Sequence, residues 1–394
     1  RASAPFNLLN SVNLVTQTGA NIAVSAGDTF FIRATAANVV EIFSYTPAIQ
    51  PITLGGTGAI TAAAARANLG VMDGTINPVF RNRVQNGNMR INQRGAGIQT
   101  LTATYAVDRF PVVFATAGTI DHRQVLGAFA PGVNSYLRLT SLAVTAPTAG
   151  AFWTVTHLIE GYNVADLDFG LATAKSITIS FKVRSTITGT YSVSLRNSAT
   201  NRSYVASFTV NAASVVESKT ITIPGDVTGT WDNSNGIGLA IQFCAAIGTT
   251  FATTAGTWQA GNFVGLTGQT NFVGVNGATW DISNVQIEEG TVATPFERRD
   301  NGVEVGLCQR YFESGVGRSG GNGAAGVGNK YSIPFKVPKR IAPTINYGNI
   351  SNTNVTTFDF RDATTTEISQ FSSCTAAGGY IWEGNWNVVD PNGF

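Results

Sequence analysis

Period-two alternation bounded by turn residues constrains this chain more than any other feature. From Lys175 to Arg184, KSITISFKVR puts Ile177, Ile179, Phe181 and Val183 on one side of an extended backbone, with Ser176, Thr178, Ser180, Lys182 and Arg184 on the other. Successive strand side chains point to opposite faces, so this segment reads as a strand with one face in a core and one in water. The alternation returns after Thr188-Gly189 in Tyr191, Val193 and Leu195, then over Tyr204 to Val210, Lys219 to Ile223 and Gly238 to Cys244. In Trp280 to Glu288 it slips from Trp280 and Ile282 to Val285 and Ile287, which predicts a bulge near Ser283-Asn284. No long amphipathic helix is expected. Strands at this spacing from Val84 to Arg299 predict one large sandwich.

Composition agrees with an all-β reading and removes several functions. Charged residues make up 12% of the 394, about half of the usual share of roughly 25%, and the 43 glycines suit many tight turns. A length of 394 allows two to four domains. The net charge of +2 is scattered, so there is no basic stripe for a nucleic-acid backbone. No apolar run approaches the roughly 20 residues that cross a bilayer, so membrane insertion is not expected. The opening RASAPFNLLN lacks a charged leader with an apolar core. The chain reads as soluble and without an export signal; beginning at Arg1, it reads equally as a processed product or a fragment. Cys244, Cys308 and Cys374 are too few and scattered for a disulfide framework and read as buried free thiols. His122 and His157 lie far from each cysteine in sequence, so half-buried strand positions outweigh a Cys/His catalytic pair.

Four modules follow. Residues 1–50 hold a hairpin pattern, with Phe30, Ile32 and Ala34 on one face and Thr29, Phe31 and Arg33 on the other, before Val39 to Phe43. Residues 51–74 form a Gly/Ala-rich linker whose Ala-rich run Thr61 can cap and Asn68 or Gly70 can end. By composition it reads as well as a flexible connector as a short helix packing on neighbouring copies. Residues 75–300 are the sandwich and 301–394 a smaller β module, in which GVGRSGGNGAAGVG reads as a long loop or hinge. Pro334, Pro338 and Pro343 lack a backbone donor, so their strands should lie at edges or begin after the proline.

Several segments resemble those of bacteriophage tail-fibre proteins. GGTGAITAAAARANLG, Gly55 to Gly70, is similar to a linker motif of such fibres. RVQNGNMRINQRG, from Arg83, with the YAVDRF of Tyr105 to Phe110, resembles the opening of their carbohydrate-binding-module-like, jelly-roll sandwich. NVQIEEGTVATPFER, Asn284 to Arg298, resembles its close; VGLCQRYF, Val305 to Phe312, and PFKVPKRIAPTI, Pro334 to Ile345, resemble the join to a receptor-binding tip and the tip's strands. The resemblance implies a homotrimeric virion protein assembled in the host cytoplasm. It would dock other virion proteins through its N-terminal end and attach to host cell-surface polysaccharide. Tail, baseplate and capsid attachment stay open, as does a purely structural role.

Glycan cleavage needs two carboxylates facing across a sugar. Asp166 and Asp168 share a strand face but read as well as a solvated turn, and Glu288-Glu289 point apart; the β-helix repeat typical of fibre depolymerases is missing. No enzyme and no cofactor are expected. The jelly-roll likeness leaves a structural calcium open, with Asp281 its best single candidate ligand. Sugar binding asks for aromatic faces flanked by amides and carboxylates. Trp153 and Trp280 read as core. Trp231 and Trp258 sit among turn residues, with Asp232, Asn233 and Gln259 beside them, and read equally as core or sugar site. Tyr380, Trp382, Gly384 and Trp386 share one strand face, with Glu383, Asn385 and Asn387 opposite. The two indoles would stand about 13 Å apart; the stripe reads as tip core or protomer seam before it reads as a glycan platform.

Overall fold

The computed structural model describes residues 4–46, Ala65 and 80–391, apart from 10, 12, 13, 16–20, 25, 38, 96, 101–103, 116–119, 324–327, 354, 362 and 375–377. The chain is all-β and forms two units, Arg1–Val79 and Phe80–Phe394. In the first, Thr29–Ala36 and Val39–Thr46 pair as the expected hairpin, with Leu14–Val15 added in parallel and Phe6–Leu8 paired to Ile22–Val24. A register shift between Phe31 and Ile32 breaks the alternation read from the sequence. Both residues are therefore exposed, while Ile42 is buried. The Ala-rich linker helix lies outside the described residues except for Ala65, which is helical.

The second unit contains the sandwich. Its six-stranded sheet runs Glu217–Ile223, Ile177–Ser185, Thr279–Glu289, Val133–Ser141, Ile120–Ala130, Gln99–Thr100. Its seven-stranded sheet runs Trp258–Ala260, Arg202–Val210, Gly189–Arg196, Ile237–Ile247, Phe152–Glu160, Phe110–Phe114, Thr104–Val107. The chain crosses between sheets repeatedly, as in a jelly roll. Ile177, Ile179, Phe181 and Val183 are buried as their alternation requires, and Trp153 and Trp280 are among the largest buried side chains. Phe181 meets Phe208 and Phe243 edge-on, each with ring centroids 5.0 Å apart, a favoured aromatic geometry. The expected bulge is present: the register slips opposite Ser180 and Lys182, and Asn284 takes φ 51°.

The two ends of the sandwich segment are clasped together. Asn82 donates to Val285 O at 3.2 Å and accepts from Ile287 N at 3.1 Å, and Val285 N donates to Gly87 O at 2.9 Å. Residues 82–91 form no strand, yet most are buried, so their backbone polar groups need partners elsewhere. Asn86 supplies four: its oxygen accepts from Arg90 N and Ile91 N at 3.0 and 2.9 Å, and its amide donates to Ile91 O and Asp108 O at 2.9 and 2.8 Å. That uses the whole capacity of a carboxamide.

A nine-residue α-helix, Asn301–Gln309, follows the sandwich and was not expected. Gly302, Gly306, Val303 and Val305 give it weak intrinsic propensity. The Asp300 side chain caps it through Gly302 N at 2.8 Å, and its Cys308 is buried. The tip comprises two three-stranded sheets around Ile368, Trp386 and Val388. Here one expectation is corrected for the described part of the glycine run: up to Gly323 it is strand, because Phe312–Gly323 pairs residue for residue with Gly378–Val389, while 324–327 lie outside the described residues. A Cβ on Gly315 would stand 2.6 Å from Trp386 Cζ2. Glycine lets the indole lie flat on the neighbouring strand. Gly328–Pro334 ends at its proline on a sheet edge, and Thr344–Thr353 begins just after Pro343.

Buried ion pairs fasten the tip to the sandwich. Glu160 accepts from Arg310 Nε and Nη2 at 2.9 and 2.6 Å and from the Tyr311 hydroxyl at 2.9 Å. Burial, partly opposed by the Arg109 charge, pushes the Tyr311 phenol up to about 12, so it serves as a donor. Arg340 grips Asp390 with two bonds of 2.6 and 2.7 Å and donates to Asn235 O at 2.6 Å. Asn235 answers by donating to Arg340 O at 2.9 Å.

Candidate functional site

The loop after Phe152–Glu160 and the loop between Glu217–Ile223 and Ile237–Ile247 meet at one end of the sandwich. Neither loop can use a sheet ladder, so they satisfy each other: Gly161 N donates to Gly236 O at 2.9 Å, Tyr162 N to Ser234 O at 2.8 Å and Gly170 N to Asp226 O at 2.7 Å. Asp226 is buried and holds Arg202 through bonds of 2.8 and 2.5 Å. The frame is thus rigid before any ligand arrives. Gly170 has φ +92°, and a Cβ there would stand 2.8 Å from Gly229 O and 3.3 Å from Trp231 Cδ1, so a side chain would pry the loops apart.

Between these loops lies a depression of about 310 Å³ whose walls include Asp168, Phe169, Leu171, Trp231, Asp232 and Asn233. Its floor is an aromatic cluster. Phe169 packs edge-on against Trp231 and Trp258 at centroid distances of 5.0 and 5.7 Å, the two indoles meet at 5.3 Å, and Trp258 meets Tyr204 at 5.3 Å. The Trp231 indole is half-buried, and its Nε1 donates to Thr228 O at 3.2 Å. Asp232 accepts from Ser234 N and Oγ, both at 2.7 Å. Asn233 is exposed, and no described residue bonds its amide. An aromatic surface beside carboxylate and amide groups can hold the apolar face of a pyranose ring and bond its hydroxyls.

Of the residues singled out in the sequence, Trp231, Asp232 and Asn233 line this depression, Trp258 backs its aromatic cluster, and Gln259 is not part of it. Trp258 donates to Pro224 O at 2.7 Å, and Gln259 is engaged by Thr253 Oγ1 and Thr254 O at 2.7 and 3.0 Å. Phe169 and Asp168 were missed as partners of Trp231. An aromatic residue amid the turn residues of YNVADLDFG was the available signal. In the tip, Trp386 is 5% exposed and packs in the core, yet with the exposed Asn385 and with Asn346 and Asn387 it lines a shallow depression of about 540 Å³. Tyr380 and Trp382 lie in the same strand, but their side chains are outside the described residues.

At Asp281 the side chain's partners are cationic residues. It is fully buried, and its two oxygens accept from Arg138 at 2.8 and 2.9 Å and from Arg184 at 2.8 Å. The lone pairs that calcium would need are held by guanidinium groups. Among the described residues no three His, Cys, Asp or Glu side chains converge.

Of the acids singled out in the sequence, Asp166 is engaged by Arg83 at 2.6 Å and Glu289 by Lys175 at 3.2 Å, and Glu160 is held by Arg310 at 2.6 Å, whereas Asp168 lines the depression with no cation partner among the described residues. Glu288 accepts from Thr294 N at 2.8 Å and from Gln286 at 2.9 Å. Cys244 and Cys308 are buried free thiols, whereas the Cys374 side chain is outside the described residues. Burial raises Cys244 to about 12 and Cys308 above its ordinary value, the opposite of an activated nucleophile. His157 is buried between Arg109 O at 3.1 Å and Gln85 Oε1 at 3.2 Å. Burial and the Arg109 charge hold its pKa well down.

No protein-family model and no curated protein matches the chain. Among solved structures, the enzymatically active domain of bacteriophage CBA120 tailspike protein 4 aligns at 11% identity over 53% of this chain and 21% of that one, with a TM-score of 0.29. An arabinose-bound α-L-arabinofuranosidase aligns at 8% over 54% and 27%, with a TM-score of 0.31. A family 11 carbohydrate-binding module from a Clostridium thermocellum cellulosomal cellulase aligns at 13% over 50% and 98%, with a TM-score of 0.26. These values are too low to carry a function across, so a function has to be argued from this chain's own residues.

Proposed function

We propose that this chain is a bacteriophage fibre adhesin, a non-enzymatic, homotrimeric virion protein that attaches to host cell-surface glycans. The observation that carries the sugar-binding part is the depression at the end of the sandwich. Trp231 and Phe169 offer aromatic surface there beside Asp232 and Asn233, on loops already locked to each other. Such a site binds without reorganising, which keeps the entropic cost of association low. The fibre part rests on the sequence resemblance. Its opening and closing segments are joined by the Asn82 hydrogen bonds, which supports reading them as the two ends of one module. The engagement of Glu160, Asp166, Asp281 and Glu289 with cations takes those four out of cleavage chemistry, whereas Asp168 and Asp232 line the depression without a cation partner among the described residues, and a reducing-end assay decides their part. Three chains on one rod would multiply a weak single-site affinity through effective concentration.

The reading is tested by titrating purified bacterial surface polysaccharides into the intact chain by calorimetry while assaying new reducing ends. Saturable binding without cleavage, together with a trimer mass by light scattering, is expected. Cleavage would replace the adhesin by an enzyme, and a stable monomer at micromolar concentration would remove the trimeric fibre.

A further inference from the structure

A second cavity lies where the opening and closing segments of the sandwich meet the Ile120–Ala130 and Val133–Ser141 hairpin. It measures about 350 Å³ and is walled by Arg90, Leu126, Asn134, Asn284 and Arg298 among others, with no acidic residue in its lining. Arg90 is exposed, and its guanidinium has no partner among the described residues. Among the described residues Arg298 donates only to Gly132 O, with Nη2. Asn284 is 7% exposed, and its buried Oδ1 has no hydrogen-bond partner. It sits on the bulge at φ 51°, the left-handed region that asparagine tolerates better than most residues. A native protein seldom buries an amide oxygen unpaired without a use for it.

The walls are held in place. Gln124 Nε2 donates to both Met89 O and Arg90 O at 2.8 Å, fixing the segment that carries Arg90, and Ser135 Oγ donates to Asn88 O at 2.7 Å. Leu126 is 72% exposed at the mouth, an apolar surface next to two cations and two amides.

We propose that this cavity binds a sugar unit bearing a carboxylate or phosphate, a site separate from the Trp231 depression. The two arginines would take the anionic group, since a charge-assisted bond to a guanidinium is stronger than a neutral one. Asn134 would take ring hydroxyls, and Leu126 the apolar ring face. A glycan chain with one neutral and one acidic unit could then use both sites, so the inference extends the glycan-binding reading without relying on Trp231.

The test is ligand-observed NMR titration of the intact chain with methyl β-D-glucuronide, glucose 6-phosphate, methyl β-D-glucoside and inorganic phosphate. One or both anionic sugars should saturate at concentrations up to about fivefold below the neutral glucoside, the upper end for one partly exposed charge pair. Which of the two binds names the anionic group. Arg90→Gln should reduce that preference without shifting the melting temperature, because the side chain holds nothing among the described residues, and Leu126→Ser should weaken both sugars. Trp231→Ala should leave glucuronide binding unchanged, so failure here is distinguishable from failure of the Trp231 reading. Equal binding of the glucoside would overturn the proposal, as would phosphate competing as well as the sugars, or an unaltered preference in Arg90→Gln.

Discussion

Replacing Asp281 by alanine would expose how the six-stranded sheet tolerates its row of cations. Register places Arg123, Arg138, Asp281 and Arg184 side by side on four adjacent strands. Asp281 is fully buried, while the Arg138 and Arg184 side chains are 22% and 20% exposed. Arg184 is further held over the Phe129 and Tyr136 rings, at 4.9 and 5.1 Å from their centroids, so it cannot easily swing away. Removing one partner of a buried pair costs about 3–5 kcal/mol because it strands the other charge. With both arginines partly hydrated, the lower end, about 3 kcal/mol, is the appropriate figure. For a domain of about 200 residues each kcal/mol shifts the melting temperature by about 2–4 °C, giving a fall of about 6–12 °C. Calorimetry or near-ultraviolet circular dichroism would measure it. The same assay with calcium should show no shift in the wild type, since the arginines hold the carboxylate. A fall under about 2 °C, or calcium stabilisation that vanishes in Asp281→Asn, would refute the pairing argument.

Three further perturbations probe other parts of the molecule. Gly315→Val should strain the tip by about 1–3 kcal/mol, because its Cβ would meet the Trp386 ring; a drop in the tip's thermal transition checks this. Arg340→Ala strands the buried Asp390 and should cost about 3–5 kcal/mol, read as faster proteolysis between sandwich and tip. Burial alone would raise the Glu217 carboxyl, but bonds from Lys219 and from the Ala212 and Asn211 amides outweigh it and hold the group at about 2, below its ordinary 4.5. An unfolded Glu217 takes its proton near pH 4.5 and the folded one near pH 2, so its stabilisation fades as pH falls between them. The variant Glu217→Gln should lose that part of the acid sensitivity, measured by denaturant titration at pH 5 and pH 3.

Much of the fold was legible because period-two patterning needs only near neighbours. Ile177 to Val183 faced the core as their alternation required, and the slip at Ser283-Asn284 marked a real bulge. The glycine run misled because glycine reads as a loop where nothing is known of the partner strand. Only the register opposite Trp386 reveals that small residues were needed there. The Asn301–Gln309 helix escaped because its stability comes from a cap and from buried Cys308. The site was half legible. Trp231 stood out among turn residues, but its partner Phe169 comes from a loop some sixty positions earlier, and no local pattern joins them. The two cations on Asp281 come from the strands on either side of it, and their convergence is a property of topology.

The account stands or falls on sugar seated against Trp231, which intrinsic fluorescence can watch. Of the six tryptophans, Trp153, Trp280 and Trp386 are buried, Trp258 backs the cluster and the Trp382 side chain lies outside the described residues, whereas Trp231 lines the depression. Titrating a bound polysaccharide into the intact chain should change the emission saturably, and Trp231→Ala should abolish both the change and most of the calorimetric heat while the chain stays folded. Undiminished binding in Trp231→Ala, with the wild-type emission unmoved at saturation, would contradict the account.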